Sequence, residues 1–174
     1  MQALEISSMK NFMSQLLSGD TFDGFLLEEA VIRTANSYTI DGHMNADFFP
    51  PEERGAEFLP YDFCPWNHIK GLCFDLIKGK YTPLHFKFVL QLKPETMRRL
   101  LIGDNANRCD GNRDSGDFDQ VKAFVLNIRY DGGRAVLTTS VSYHTFVMSR
   151  EADLIWDNAL CHYLNDKGIG YEKL

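Results

Sequence analysis

Chemically useful side chains are concentrated between Trp66 and Lys93. Five lysines stand there against one acid, Asp75, so this stretch carries a net charge of +4, whereas the whole chain carries −6. A basic island on an acidic chain suggests a local site for an anion rather than a general nucleic-acid surface. Lysines on the outside of a strand can also serve only to keep its edge soluble. The residues that we expect to bind an anion or a partner are Lys78, Lys80, Tyr81, His85 and Lys87.

Candidates for proton transfer are few. His85 lies on the lysine-bearing face of a predicted strand and is a weak candidate for a catalytic acid or base. Glu28 and Glu29 fall in another predicted strand, where neighbouring side chains point to opposite faces. One of the two glutamates would then be a buried carboxylate with a raised pKa, a weak candidate for a general base. The alternative is a bulge or a strand end that leaves both glutamates solvated.

Established catalytic and metal-binding motifs do not occur in the sequence. A GxxxxGK phosphate-binding loop ending at Lys80 would need glycine at the position of Phe74. The five histidines lack the spacing of metal ligands, and the four cysteines, at positions 64, 73, 109 and 161, form no CxxC pair. Cys161 and His162 are neighbours on a predicted helix and cannot face each other. The sequence therefore predicts no cofactor and no metal.

Residues 104–119 contain no core residues for a dozen positions and are predicted to form a mobile loop. Asp110, Asn112 and Asp114 resemble the beginning of a calcium-binding loop. The match fails, because the sixth position is Ser115, where glycine is required, and the twelfth is not glutamate. We therefore expect a loop without calcium.

A strand and a helix are expected to position the basic stretch. Residues 84–92 alternate between apolar and polar side chains, which is typical of a half-buried β-strand. Gly79 and Pro83 predict a turn over residues 78–83, and Pro65 predicts that a helix begins at residue 66 and ends near Lys78. Lys78 would then lie at a helix C-terminus, where lysine is favoured for structural reasons alone. The apolar face of the strand would carry Leu84, Phe86, Phe88, Leu90 and Leu92.

Hydrophobic periodicity and turn residues predict the other elements. Helices are expected at residues 9–17 and 94–101, the second closed by Gly103, and a long C-terminal helix is expected between a Ser149 cap and Gly168. Strands are expected at residues 25–34, 38–40, 121–130 and 135–147 and would form two hairpins. This order predicts an α+β fold, in which helices pack on an antiparallel sheet of about five strands.

The bulk composition favours one globular domain over residues 1–174. The chain has 174 residues, of which 44% are hydrophobic, within the usual range for a single domain. Isolated cysteines fit a reducing compartment, and the N-terminus lacks a basic start followed by an apolar core. No apolar run approaches the length of about 20 residues that spans a membrane. We therefore expect a soluble, cytoplasmic protein that does not contact a membrane.

Three segments carry a resemblance to a known family. They are FDGFLLEEAVI near the start, CFDLIKGKYTPLHFKFVLQL in the middle, and LNIRYDGG before a helix that contains WDNAL. Together they resemble a bacterial family of domain-of-unknown-function proteins over nearly the full chain. The resemblance implies a stand-alone bacterial domain. It implies no established activity and assigns no role to any residue.

The leading functional hypothesis is a non-catalytic binding or interaction module. In it, the lysines around Lys78 and Lys80 contact an anionic small molecule or a protein partner. The first alternative is an enzyme acting on a small phosphorylated or carboxylated substrate, with lysines holding the anion and His85, Glu28 or Glu29 moving a proton. That alternative requires one of these three groups to lie in the same closed pocket as the lysines.

The second alternative is single-stranded nucleic-acid binding. Tyr81 or Phe86 would then serve as a stacking platform beside the lysines. The net charge of −6 counts against this alternative. Homodimerisation through the helix at residues 9–17 or an exposed strand edge is compatible with all three hypotheses.

Overall fold

The computed structural model describes residues 1–57, 59–106 and 116–174. The helices are α1 (Met9–Leu17), α2 (Trp66–Ile77), α3 (Pro94–Ala106), the single turn α4 (Gly116–Asp119) and α5 (Glu151–Asp166). The strands are β1 (Ala3–Ile6), β2 (Phe25–Arg33), β3 (Ser37–Asp41), β4 (Cys64–Pro65), β5 (His85–Leu92), β6 (Val121–Tyr130), β7 (Ala135–Tyr143) and β8 (Tyr171–Lys173). None of the helices in these ranges is long and apolar enough to cross a membrane.

All described strands join one antiparallel sheet. Its order is β3-β2-β5-β6-β7-β1-β8, and β4 pairs with the start of β2 on the edge opposite β5, the same edge on which β3 pairs with the end of β2. The predicted α+β class and antiparallel sheet are confirmed, but the predicted count of about five strands is wrong, because the sheet has eight. The additional strands β1, β4 and β8 have only four, two and three residues. Such segments are too short for hydrophobic alternation to predict a strand, although Leu4 and Ile6 of β1 are buried in alternation, and main-chain pairing defines them instead.

Strand alternation divides the sheet into two faces. The larger buried cluster contains Phe86, Phe88 and Leu90 of β5 together with the buried side chains of α1, α2, α3 and α5. We call this side the inner face. The other side, the outer face, has a small buried cluster of its own, formed by Val89 of β5 and by Ala123 and Val125 of β6. In the described ranges, the buried helical residues all belong to the inner-face cluster.

Several predicted boundaries are corrected by the structure. β5 begins at His85, so Leu84 precedes the strand and is exposed. α3 continues through Gly103 to Ala106, and β7 ends at Tyr143 rather than near residue 147. The residue that caps α5 is Arg150, although the hydroxyl oxygen of Ser149 accepts a hydrogen bond from the Glu151 N–H at 3.3 Å. β8 follows α5 in the chain.

The predicted loop at 104–119 is described only at its two ends. α3 includes residues 104–106, and α4 covers 116–119. Residues 107–115 lie outside the described residues, and so does the first half of the calcium-like pattern from Asp110 to Val121. The mobility of this segment stays a prediction.

A β-bulge in β2 determines where the two glutamates lie. The pairing of β2 with β5 shifts register between Leu27 and Glu29, so Glu28 is the additional residue. The N–H of Gly42 donates to the Glu28 carbonyl oxygen at 2.9 Å. A Cβ atom at Gly42 would lie 1.8 Å from the carbonyl oxygen of Leu27, so only glycine allows this close approach. The bulge of the alternative interpretation is present, but both glutamates are half-buried rather than fully solvated.

Candidate ligand-binding groove

A groove of about 330 Å³ lies where the first turn of α1, the end of α2 and the segment 78–83 meet the ends of β5 and β6. We call it the lysine groove. Its floor is apolar and is formed by Met9, Met13, Ile77, Pro83, Phe86 and Tyr130. Its rim carries the exposed side chains of Lys10, Lys78, Lys80 and Tyr81.

The floor of the lysine groove is rigid because aromatic rings stack beneath it. The centroid of the Phe86 ring lies 4.8 Å from that of Tyr130 and 5.1 Å from that of Phe88, with both pairs stacked. Phe86 is only 1% exposed and Tyr130 only 8% exposed. Such packed rings hold one arrangement. The groove therefore offers a preformed apolar surface to a ligand.

The lysines at the rim differ in how far their charges are already neutralised. Lys78 is the C-cap residue of α2, and its Nζ lies 2.7 Å from Oδ1 of Asp75. Lys80 has its Nζ 5.7 Å from the centroid of the Tyr81 ring. In the part of the chain that the structure describes, neither Lys10 nor Lys80 forms an ion pair. These two lysines are therefore the charges that an anion would meet first.

The first turn of α1 adds positive potential to the same rim. Ser8 precedes this helix but its side chain makes no capping hydrogen bond, and the first turn contains no acidic residue. Helix N-termini carry partial positive charge, which serine caps and acidic residues usually offset. Met9 and Lys10 of this turn both line the groove. The N-terminus of α1 and the side chains of Lys10 and Lys80 therefore all contribute positive potential at the rim of the groove.

The structure divides the predicted binding residues between two faces. Lys78, Lys80 and Tyr81 lie together at the lysine groove, but His85 and Lys87 do not line it. Their side chains belong to the outer face, because they alternate with buried residues of β5. The five residues therefore lie in two separate groups, and their role in binding stays a prediction.

Lys87 and His85 belong to a second basic region on the outer face. His85 pairs in register with Arg33 of β2, and Lys87 pairs with Arg129 of β6. The Nζ of Lys87 lies 2.6 Å from Oε2 of Glu29. We call these four basic residues the sheet patch. The sequence analysis missed Arg33 and Arg129, because only the register shows that they lie beside β5.

The other two lysines of the basic stretch have structural partners elsewhere. The Nζ of Lys70 donates to the carbonyl oxygen of Gly19 at 2.7 Å and to the carboxylate of Asp23. Lys93 lies over the ring of Tyr61, with 5.8 Å between Nζ and the ring centroid. The basic stretch is therefore one island in the sequence but several separate features in space.

Neither candidate glutamate reaches the lysine groove. Oε2 of Glu28 accepts a hydrogen bond from Nε2 of Gln91 at 2.7 Å, and Glu29 pairs with Lys87. None of the described lining residues of the groove is a histidine, an acid or a cysteine. The geometry that the predicted enzyme required, with His85 or a glutamate beside the groove lysines, is absent from the described residues.

A second pocket, of about 270 Å³, is lined by Asp41, His43 and Cys64 among others. Nδ1 of His43 lies 2.6 Å from Oδ1 of Asp41, an arrangement that can orient a histidine for base catalysis. The Sγ of Cys64 donates to the carbonyl oxygen of Pro65 at 3.6 Å, and no hydrogen bond among the described residues joins it to His43. Burial raises the pKa of the Cys64 thiol, which disfavours the reactive thiolate. These three residues therefore do not form a nucleophilic triad.

Metal coordination finds no support in the described ranges. No group of three or more His, Cys, Asp and Glu side chains there is arranged to hold a metal ion. The calcium-like residues Asp110, Asn112 and Asp114 lie outside those ranges.

Comparison with known proteins identifies a family but no activity. The model of a protein family described as a family of unknown function (DUF5721) matches residues 15–172, so the chain belongs to that family. The predicted resemblance to a family of unknown function is confirmed. No curated protein and no solved structure matches the chain. Lys78, Lys80 and Tyr81 lie within the matched residues, whereas Lys10 precedes them.

Proposed function

We propose that this DUF5721 protein is a binding module that takes a small anion with an apolar body into the lysine groove. The observation that carries the proposal is the combination of an apolar, ring-stacked floor with a rim on which Lys10 and Lys80 have no ion-pair partner among the described residues. A volume of about 330 Å³ is at the lower end of the range for small-molecule sites. The ligand would place its apolar part on the half-buried side chains of Met9, Met13 and Ile77 and its anionic group between the lysines.

The chemistry of the rim favours a negatively charged ligand group over a neutral one. Lysine ammonium groups are compact point charges that bind phosphate or carboxylate without the planar geometry that arginine imposes. Tyr81 is 81% exposed and can close over an apolar or aromatic ligand body. Phosphorylated and carboxylated aromatic compounds combine both properties.

A catalytic function is a weaker alternative. The groups nominated for proton transfer, which are His85, Glu28 and Glu29, do not line the groove, and general acid–base catalysis needs hydrogen-bond reach. We therefore favour binding without turnover. Bacterial origin, a cytoplasmic location and homodimerisation stay predictions.

Single-stranded nucleic-acid binding loses one of its two stacking platforms. Phe86 is 1% exposed and its ring already stacks on Tyr130, so it cannot stack on a base. Tyr81 alone stays available beside Lys80. Fluorescence anisotropy with a labelled oligothymidylate checks this alternative, because binding through phosphates weakens steeply with salt. We expect no binding at 150 mM salt.

The proposal is tested by thermal shift and isothermal titration with a matched set of probes. 1-Naphthyl phosphate and 2-naphthoate carry the apolar body and the anion, whereas 2-naphthol carries only the body and inorganic phosphate only the anion. We expect the two amphipathic anions to bind more tightly than either half alone. Saturation at about 100 times Kd adds about 2.7 kcal/mol to the free energy of unfolding, which corresponds to several degrees in Tm.

Matched variants distinguish anion binding in the lysine groove from attraction by the positive charges of the protein in general. Lys10→Ala/Lys80→Ala removes two positive charges from the groove, and Arg33→Ala/Arg129→Ala removes two from the sheet patch. We expect the first variant to lose binding at least tenfold and the second to keep it. Equal losses in both variants would show that net charge alone attracts the anion. Absence of any shift with the amphipathic anions contradicts the proposal outright.

A further inference from the structure

An apolar cavity of about 230 Å³, partly open to solvent, lies at the opposite end of β5 from the lysine groove. It lies between α3 and α5, next to the first residue of β2 and the last residue of β5. Protein cores are packed closely and leave few voids larger than a water molecule. The deep wall of this cavity is formed by the buried side chains of Phe25, Leu92, Trp156 and Leu160. The outer wall is formed by the half-buried side chains of Leu100, Ala159 and Tyr163.

The polar atoms of the side chains around this cavity already have partners. Nε1 of Trp156 donates to a main-chain oxygen of β6 at 2.9 Å, and the Tyr163 hydroxyl donates to a main-chain oxygen that precedes β2. Oγ1 of Thr96 accepts from Nη2 of Arg99 at 3.1 Å. Burial, and then two nearby aspartates, raise the pKa of Tyr163, so the phenol stays neutral. The cavity therefore presents carbon surfaces to whatever enters it.

We propose that this cavity binds a small uncharged molecule of aromatic or branched aliphatic character, independently of the anion in the lysine groove. Enclosed apolar cavities of about 150 Å³ stay free of water and bind benzene. This one is larger and has apolar walls, although it is partly open to solvent. A charged or strongly polar ligand would lose its hydration without gaining hydrogen bonds from these walls. The ligand class follows from the walls and the volume together.

The fluorescence of Trp156 can be used to detect a ligand in the cavity. One face of its indole stacks on Phe124, with 5.3 Å between ring centroids and 10° between planes, and the side chain also lines the cavity. The second tryptophan of the chain, Trp66, lies on α2, is fully buried and does not line the cavity. In a Trp66→Phe variant, the remaining tryptophan fluorescence comes from Trp156 alone.

The first measurement compares toluene with benzoate in a thermal-shift assay on the unaltered chain. We expect toluene to raise Tm in a saturable manner and benzoate to leave Tm unchanged. The second measurement titrates Trp66→Phe with bromobenzene, a heavy-atom quencher, and we expect quenching that saturates. If Trp66→Phe does not fold, the thermal-shift comparison decides by itself. Absence of a toluene shift, or quenching that rises linearly without saturation, overturns the proposal.

A cavity-filling variant locates the binding site. Ala159→Leu places three further carbon atoms in the outer wall, so we expect toluene affinity to fall at least tenfold. Asn158→Leu adds an apolar side chain at the exposed neighbouring position on α5 and should leave the affinity unchanged. Unchanged affinity in Ala159→Leu overturns the assignment to this cavity. Toluene binding should also survive Lys10→Ala/Lys80→Ala, because the two sites lie at opposite ends of β5.

Discussion

The lysine groove and the sheet patch use basic residues from the same short stretch of chain in different ways. In the groove, Lys80 stands at the rim of an apolar hollow and has no carboxylate partner among the described residues. In the sheet patch, Lys87 lies on the outer face of paired strands and donates a hydrogen bond to the Glu29 carboxylate. The comparison teaches that positive charge becomes a candidate ligand site only where the fold also supplies a cavity and leaves the charge unpaired.

Substitution of Phe86 should have the largest effect and separates the two faces most sharply. Phe86→Ala removes the stacked floor of the groove, and we expect a loss of about 3 to 5 kcal/mol in the free energy of unfolding. The preceding residue, His85, points to the outer face, so His85→Ala should cost less than about 0.5 kcal/mol. Guanidinium denaturation of both variants measures the difference. Similar losses for the two would show that the outer face is more tightly packed than described.

Substitution of Gly42 should come next, because it disturbs the bulge that places both glutamates near the outer face. A Cβ atom at this position collides with the main chain of Leu27, so Gly42→Ala should cost about 2 to 3 kcal/mol. Gly55→Ala is the control, because a Cβ atom there has nothing within 4 Å. Urea denaturation reports the cost. A loss as small as in the control would mean that the bulge relaxes freely.

The ion pair between Glu29 and Lys87 should contribute little to stability. Its side chains are 39% and 41% exposed, and exposed pairs typically contribute about 0.5 kcal/mol. A double-mutant cycle with Glu29→Gln and Lys87→Met should give a coupling of about that size at low salt, and a smaller coupling at 1 M salt. A coupling above about 2 kcal/mol would show that the sheet patch is far less solvated than the groove rim.

The smallest effect is expected at Asp41, at the edge of the sheet. The backbone N–H of His43, and then its side chain, hold the pKa of this carboxyl below 3.8. Because the folded-state pKa is depressed, the stabilisation is present above pH 3.8 and is lost as the pH falls through the folded-state value. An NMR titration of the Asp41 carboxyl should show a midpoint that His43→Ala raises only part of the way, since the backbone N–H persists. A control substitution, His68→Ala, should leave the midpoint unchanged.

The sequence predicted the local elements well where one face of an element is buried. Alternation in residues 84–92 gave a strand whose buried residues include Phe86 and Phe88. The hairpin of β2 and β3 was predicted from β-branched residues and the turn at Asn36. β1, β4 and β8 were missed, because four residues or fewer carry no measurable period.

The candidate site was predicted only in part. Lys78, Lys80 and Tyr81 do lie together at the groove, because they are close in sequence within one turn, and their role in binding stays a prediction. His85 was grouped with them through proximity in sequence, although a strand turns successive side chains to opposite faces. Lys10 was missed because it is about seventy residues away in the chain, and no sequence pattern connects α1 with the end of α2.

The sequence by itself determined the class of fold, the alternation of β5 and the basic character of the residues before it. These properties depend on periods of two and 3.6 residues and on turn chemistry, which act over a few neighbouring positions. The tertiary structure alone decided which basic residues meet, because α1, α2 and β6 approach β5 through packing of distant apolar residues. It also decided that a cavity stays open between α3 and α5, since the volume between two helices depends on how all their side chains fit together.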